Sequence, residues 1–346
     1  RDPAALAPLA EAAKDPSEEL SLAAIRALGS LADSNALAPL YGILVSGSPA
    51  AAAAAVDSVL RIADQCAARE QPDTARQLYQ AMLPYASEVP QQLAALTGLM
   101  RLANPASLSS VVPYLTAPDE RVQVMAAATI GALPGPEATQ TLVQAFDKAS
   151  YNLAATIAYA LGRRGDICAT PLLEKAAQSE DQGLRIAAVK ALGRLGQTSS
   201  IPALKAVIAQ ASDPVKNAAV EAYLAVADAA ASRGEASAAG AIYREVLALD
   251  TSEANKANAL YGLAKTPTPE ALPEVEAIIA SGSEDLRGPA LAAYVAIADS
   301  LLASGKKDEA TAIYLKALDM LAGDPRLLYV ARKLQEAGVP VDIAAR

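Results

Sequence analysis

The chain is 346 residues long, 53% apolar but only 4% aromatic, with no Trp, one Phe and no His. Its formal net charge of −9 opposes general binding to phosphate backbones or anionic membranes. The lack of His removes the usual general base, the usual zinc and haem ligands, and with them every Ser-His or Cys-His arrangement. The apolar residues are mostly Ala and Leu, which suits helices packed at short distances and leaves few residues that favour sheet. Charge is uneven: residues 121–205 hold nine Lys or Arg against six Asp or Glu, so any anionic ligand would be expected in that middle third.

The first unit opens with Pro3-Ala4-Ala5-Leu6-Ala7-Pro8-Leu9, a short helix with Pro in its first turn. Asp15-Pro16-Ser17-Glu18 then supplies turn and cap residues before a helix from Leu20 to Leu31 that contains Ala27-Leu28-Gly29. Ala38-Pro39-Leu40 starts a second pair, whose inner helix from Pro49 to about Arg69 carries the alanine run Ala50–Ala55. The apolar face continued by Val56, Val59, Leu60 and Ala63 marks that run as helix rather than disorder. A helix from Asp73 to Tyr85 follows. The short form resumes at Val112-Pro113-Tyr114-Leu115, which is expected to start a helix, and Asp119 and Glu120 are expected to cap the next one.

From Asn152 to Leu204 the unit is written twice in succession. Ala160-Leu161-Gly162 recurs as Ala191-Leu192-Gly193, and Gly131, Gly162 and Gly193 form one ladder. A glycine repeated near a helix end predicts close helix approach or a left-handed exit. A period near 30 with helical spacing inside each half is the signature of a stacked helix-pair repeat. Three longer units interrupt it, near 49–103, 213–265 and 285–337. Asp64 and Tyr79, Asp228 and Tyr243, and Asp299 and Tyr314 keep one spacing throughout, and the first two units add Gly98-Leu99 and Gly262-Leu263 at one offset. A pair starting near Glu270 precedes the third long unit, which ends in Tyr329–Ala337, and a tail or linker over 338–346 completes the chain. No stretch alternates with period 2 for long enough to be a strand. The fold expected is all-α: a single right-handed α-solenoid of about ten helix pairs, three of them longer and TPR-like.

Cys66 and Cys168 are separated by too many repeats to approach the Cα distance of about 4–7 Å that a disulfide needs, and both are expected to be buried free thiols. No run of apolar residues resembles a membrane span, and the chain beginning at Arg1 reads as a processed or excised piece.

The Ala-Leu-Gly endings with Pro-x-Leu openings resemble HEAT repeats in the short bacterial form. Residues 113–204, with the run VQVMAAATIGALPGPEATQTLVQAFDKASYNLAATIAYALGRRGDICATPLLEKAAQSED, are similar to the HEAT region of large secreted bacterial proteins that also carry a domain related to 3-keto-disaccharide hydrolases. The Asp–Tyr units and the closing stretch from Leu334 to Arg346 resemble the segment just before that domain. The resemblance implies a periplasmic or extracellular, carbohydrate-linked context. The sugar-active domain itself is absent from this sequence, so no catalytic residue is carried over.

Asp64, Asp228, Asp119 and Glu120 are expected to serve caps and inter-repeat hydrogen bonds rather than catalysis. Arg164-Gly165-Asp166 reads as a turn leaving one repeat, not as a receptor motif. Tyr79, Tyr243 and Tyr314 are expected to pack in the core or between helices with the hydroxyl outward. One surface constellation is read either as an ordinary solvated face or as a candidate partner-binding patch for an acidic peptide or a sugar: Tyr159 and Arg163 at i and i+4 on one inner helix, and Lys190 and Arg194 at the same two positions one repeat later. The function expected is a non-enzymatic interaction scaffold that needs no cofactor or metal. Its concave face would hold a protein partner or a further domain of the same polypeptide, not nucleic acid. The alternative is an accessory domain of a secreted carbohydrate-degrading enzyme; a HEAT-type DNA glycosylase or chromophore lyase is opposed by the net charge and the lack of Trp.

Overall fold

The computed structural model describes residues 3–31, 33–281, 283–321 and 324–341. The part of the expected tail from 342 to 346 lies outside the described residues. The chain divides into two compact units, Arg1–Arg164 and Gly165–Arg346.

The first unit contains α1 (Leu6–Ala12), α2 (Glu18–Leu31), α3 (Leu37–Ser46), α4 (Pro49–Ala68), α5 (Pro72–Met82), α6 (Val89–Leu102), α7 (Leu108–Val111), α8 (Glu120–Ala132), α9 (Pro136–Phe146) and α10 (Tyr151–Arg164). The second contains α11 (Thr170–Ala176), α12 (Gln182–Leu195), α13 (Ile201–Gln210), α14 (Val215–Ser232), α15 (Ala236–Ala248), α16 (Glu253–Lys265), α17 (Leu272–Ser281), α18 (Glu284–Ala303), α19 (Lys307–Met320) and α20 (Arg326–Glu336). Among the described residues there is no strand. The three longer units expected from the sequence each open with a long helix, α4, α14 or α18.

Local chemistry sets where the helices begin. Ser48 accepts a hydrogen bond from Ala51 N, Asp181 from Leu184 N and Ser252 from Asn255 N, each satisfying an amide that the helix leaves without a carbonyl. Three odd-numbered helices are entered through a 3₁₀ turn whose preceding Asp or Asn accepts from the amide two residues on: Asp33 from Asn35, Asn104 from Ala106 and Asp166 from Cys168. The Arg164-Gly165-Asp166 turn is of this kind, with Gly165 at φ +73°.

In each unit the even-numbered helices stack on one another and the odd-numbered helices cover them. The glycine ladder lies in that stack. A Cβ on Gly131 would stand 2.6 Å from the Ala160 Cβ, and one on Gly193 would stand 2.8 Å from the Ala222 Cα. These are close helix crossings of the kind the sequence predicted. Polar side chains also tie successive even helices together: Ser58 Oγ donates to Ile25 O at 2.9 Å, Gln91 Nε2 to Ala53 O at 2.9 Å, and Asn255 Nδ2 to Asn217 Oδ1 at 2.8 Å.

The long units pack differently. There the intervening helix wedges in: α5 contacts both α4 and α6, and α15 both α14 and α16, while direct α4–α6 and α14–α16 contact is smaller than that of α2 with α4 or α12 with α14. The even helices are therefore spread apart in these units. α18 is long and apolar enough to cross a membrane by length and composition alone. It packs against α16, α17 and α19, as a core helix does.

Two local expectations are corrected. Val112-Pro113-Tyr114-Leu115 does not start a helix: α7 begins at Leu108 and passes into a 3₁₀ stretch at Val112–Thr116. Pro113 has no N–H with which to extend the α-helical ladder. The Tyr114 hydroxyl anchors the stretch by donating to Leu83 O at 2.6 Å. Cys66 is buried as expected, but Cys168 is exposed, because it sits in the 3₁₀ turn entering α11.

Candidate functional site

The recurring Asp–Tyr spacing is a hydrogen bond. Tyr79 on α5 donates to Asp64 Oδ1 on α4 at 2.6 Å, Tyr243 on α15 to Asp228 Oδ1 on α14 at 2.6 Å, and Tyr314 on α19 to Asp299 Oδ1 on α18 at 2.5 Å. The expectation of outward hydroxyls is thereby corrected: a phenol at the edge of a packed interface needs a partner, and a carboxylate on the facing helix supplies one. Burial, reinforced by this bond, pushes all three phenols well above their ordinary value. Gly98 and Gly262 complete the first two units. A Cβ on either would stand 2.4 or 2.3 Å from the Cζ of Tyr79 or Tyr243, so the glycine is what lets the ring reach between the two even helices.

A second set of tyrosines was not singled out in the sequence. Tyr223 donates to Glu245 at 2.9 Å, and Lys205 pairs with the same Glu245 at 2.9 Å. At the corresponding positions of the next unit Tyr294 donates to Glu276 at 2.9 Å, and Glu276 pairs with Lys316 at 3.1 Å. The basic and acidic partners have exchanged places, while the Tyr–Glu–Lys chemistry is kept. The 40-residue separation of Lys205 from Glu245 and of Glu276 from Lys316 is a signal the sequence did contain.

The spread even helices of the long units leave open grooves. One of about 330 Å³ lies between α4 and α6 and includes Asp57, Asp64, Glu88 and Gln91. Another of about 460 Å³ lies between α14 and α16 and includes Glu221, Asp228, Asn258, Tyr261 and Lys265. A larger one of about 530 Å³ near Lys14 and Ser48 is built of loop and cap residues around the ends of α2 and α4. Its polar groups serve the local structure: Lys14 pairs with Glu11 at 3.0 Å, Asp15 accepts from Ser17 N, Ser21 donates to Ala13 O, Ser46 to Gly42 O, and Ser48 caps α4.

The four residues of the predicted patch are all exposed. Tyr159 and Arg163 lie one turn apart on α10 in the first unit, with Tyr159 47% exposed. Lys190 and Arg194 lie one turn apart on α12 in the second. Each pair thus forms a small polar strip on its own helix. Arg164, next to Arg163, is spent on structure: it donates to Thr139 Oγ1 at 2.7 Å and to the carbonyls of Leu133 and Gly135. Among the described residues no group of His, Cys, Asp and Glu is arranged to hold a metal. The exposed Cys168 thiol is held above its ordinary value by a hydrogen bond with Asp166, the reverse of what an activated thiolate requires.

The family model for HEAT repeats matches residues 139–224. No curated protein matches the sequence. Among solved structures, an engineered protein is similar at 18% identity over 96% of this chain and 98% of its own, with a TM-score of 0.50. Kap95p, in a complex with RanGDP, is similar at 14% identity over 97% of this chain and 51% of that one, with a TM-score of 0.56. Importin beta crystallised with ammonium sulfate is similar at 16% identity over 96% and 51%, with a TM-score of 0.51. The chain spans about half the length of the last two, and at these identities the likeness is one of fold. The chain is an all-α helical-repeat protein, and its segment 139–224 matches the model of HEAT repeats.

Proposed function

We propose that this chain is an interaction scaffold without chemistry of its own, holding a protein partner or a neighbouring domain of the same polypeptide on the exposed strips of its even-numbered helices. The observation that carries this reading is the exposure of large aromatic and basic side chains on helices whose other faces are packed. The recurring Asp and Tyr residues join helix to helix, as Asp64 with Tyr79 and Asp228 with Tyr243 do. Tyr159, Arg163, Lys190, Arg194 and Tyr261 stand exposed in this way. Large aromatic and guanidinium groups on a rigid surface are the residues that anchor protein interfaces. The similarity to importin-type solved structures supports a fold able to present such a surface. The resemblance of residues 113–204 to secreted bacterial proteins supports a partner domain on the same polypeptide outside the cytoplasm, with a carbohydrate-linked role.

Photo-crosslinking residues introduced at 159, 163, 190 and 194 in the source cell test the proposal. Crosslinks to one polypeptide, or to another segment of the same one, are expected there, and none at Lys175 or Lys316 on odd-numbered helices. Crosslinks spread evenly over both sets, or turnover of a substrate by the purified chain, would overturn it.

A further inference from the structure

The third Asp–Tyr unit differs from the first two at its carboxylate. In the third, Asp299 accepts two phenols: Tyr314 from α19 at 2.5 Å, and Tyr329 from α20 at 3.0 Å to each carboxylate oxygen. Tyr329 thus closes the space between α18 and α20 with a side chain of the protein itself, and the ammonium of Lys333 lies 5.6 Å from the centre of its ring. In the second unit the residue corresponding to Tyr329 is Asn258, and no hydrogen bond from it reaches Asp228. Asp228 there is exposed, with only Oδ1 engaged by Tyr243. The groove of about 460 Å³ opens at this place, with Leu224 and Tyr261 as apolar surface and Lys265 on its edge.

Resting on the scaffold reading, we infer that the α14–α16 groove is a receptor for a tyrosine side chain of the partner, whose phenol donates to Asp228 as the phenol of Tyr329 donates to Asp299. A carboxylate is a strong acceptor, and the phenol keeps its proton throughout. A cationic guest is the rival occupant, because the groove carries two carboxylates, Asp228 and Glu221, against the one ammonium of Lys265, and the hydrogen bond from Asn217 Nδ2 at 2.8 Å leaves Glu221 charged. The phenol is favoured by the precedent of Tyr329 on Asp299. The ring would lie over Leu224 and beside Tyr261, with Lys265 at the edge of the groove.

The probe is p-cresol, the tyrosine side chain without its backbone, titrated into the full chain below pH 9 and followed by amide NMR. Shifts are expected at Asp228, Asn258 and Tyr261, and toluene should produce none of comparable size. Asp228→Asn keeps an acceptor for Tyr243 but loses the second carboxylate oxygen, and should weaken p-cresol roughly tenfold or more. Asn258→Tyr, at an exposed position, should fill the groove as Tyr329 fills its own and abolish binding. Equal response to toluene, undiminished binding in Asn258→Tyr, or tighter binding of methylguanidinium than of p-cresol would overturn the inference. Crosslinks on α10 and α12 that persist when p-cresol fails would leave the scaffold standing and remove only this groove.

Discussion

The Tyr79 ring lies directly over Gly98, so close that a Cβ at position 98 would be 2.4 Å from its Cζ. Tyr79 can donate to Asp64 only while that space stays empty, so Gly98→Ala should displace the ring and destabilise the protein by about 1–3 kcal/mol, the usual range for overpacking. Gly262→Ala should act likewise through Tyr243. Gly42→Ala is the control: nothing lies within 4 Å of its added methyl, and it replaces a helix-interior glycine, so it should be neutral or stabilise by roughly 0.5–1 kcal/mol. Chemical denaturation of the three variants checks this, and equal effects would refute the role given to Gly98.

Stability should fall in alkali. Tyr79, Tyr223, Tyr243, Tyr294 and Tyr314 are all raised above 10.0 in the folded chain, by burial first and by their carboxylate partners second. Tyr329 is pushed up to about 12 by the same causes. Above pH 10 the unfolded chain releases these protons while the folded chain keeps them. The contribution is therefore complete below that pH and is lost as pH rises toward the folded values. Denaturation midpoints should be flat from pH 8 to about pH 9.5 and then decline. Replacing Tyr79, Tyr243 and Tyr314 together by Phe should lower the plateau and flatten the decline; an unchanged slope would disconnect these phenols from it.

The exchanged pairs predict a specific rescue. Lys205→Glu should set two carboxylates against each other at the Tyr223 hydroxyl, at a cost of up to about 1 kcal/mol because both partners are half exposed. Adding Glu245→Lys should recover most of that loss, since the chain already uses the reversed order at Glu276 and Lys316. A double-mutant cycle measures the coupling. A double variant no better than the single one would mean that the two sites are not equivalent.

Glu70 is a weak point in the backbone. It holds φ +58° in the turn after α4, where the corresponding turns of the other long units have Gly234 and Gly305, both at φ +83°. A side chain in the left-handed region costs about 1–2 kcal/mol, offset in part by the greater entropy of glycine in the unfolded chain. Glu70→Gly should therefore raise the melting temperature slightly, a net gain of up to about 1 kcal/mol. A lower melting temperature would show that the Glu70 side chain has a role of its own.

Helix identity, the repeat and the close crossings at Gly131 and Gly193 were legible in the sequence, because apolar periodicity, cap residues and glycine placement act over a few residues and leave a local pattern. The equal spacing of Asp64–Tyr79, Asp228–Tyr243 and Asp299–Tyr314 was legible too, as was the offset of Gly98 and Gly262. Their meaning was not. Whether a phenol faces water or a carboxylate depends on where the neighbouring helix stands, and that is set by the packing of α5, α15 and α19 between the even helices. The same packing decided that grooves open beside Asp64 and Asp228 and that Tyr329 closes the one beside Asp299. A repeat unit carries its own helices in its sequence, but the space between two units belongs to neither, and only their stacking determines what fills it.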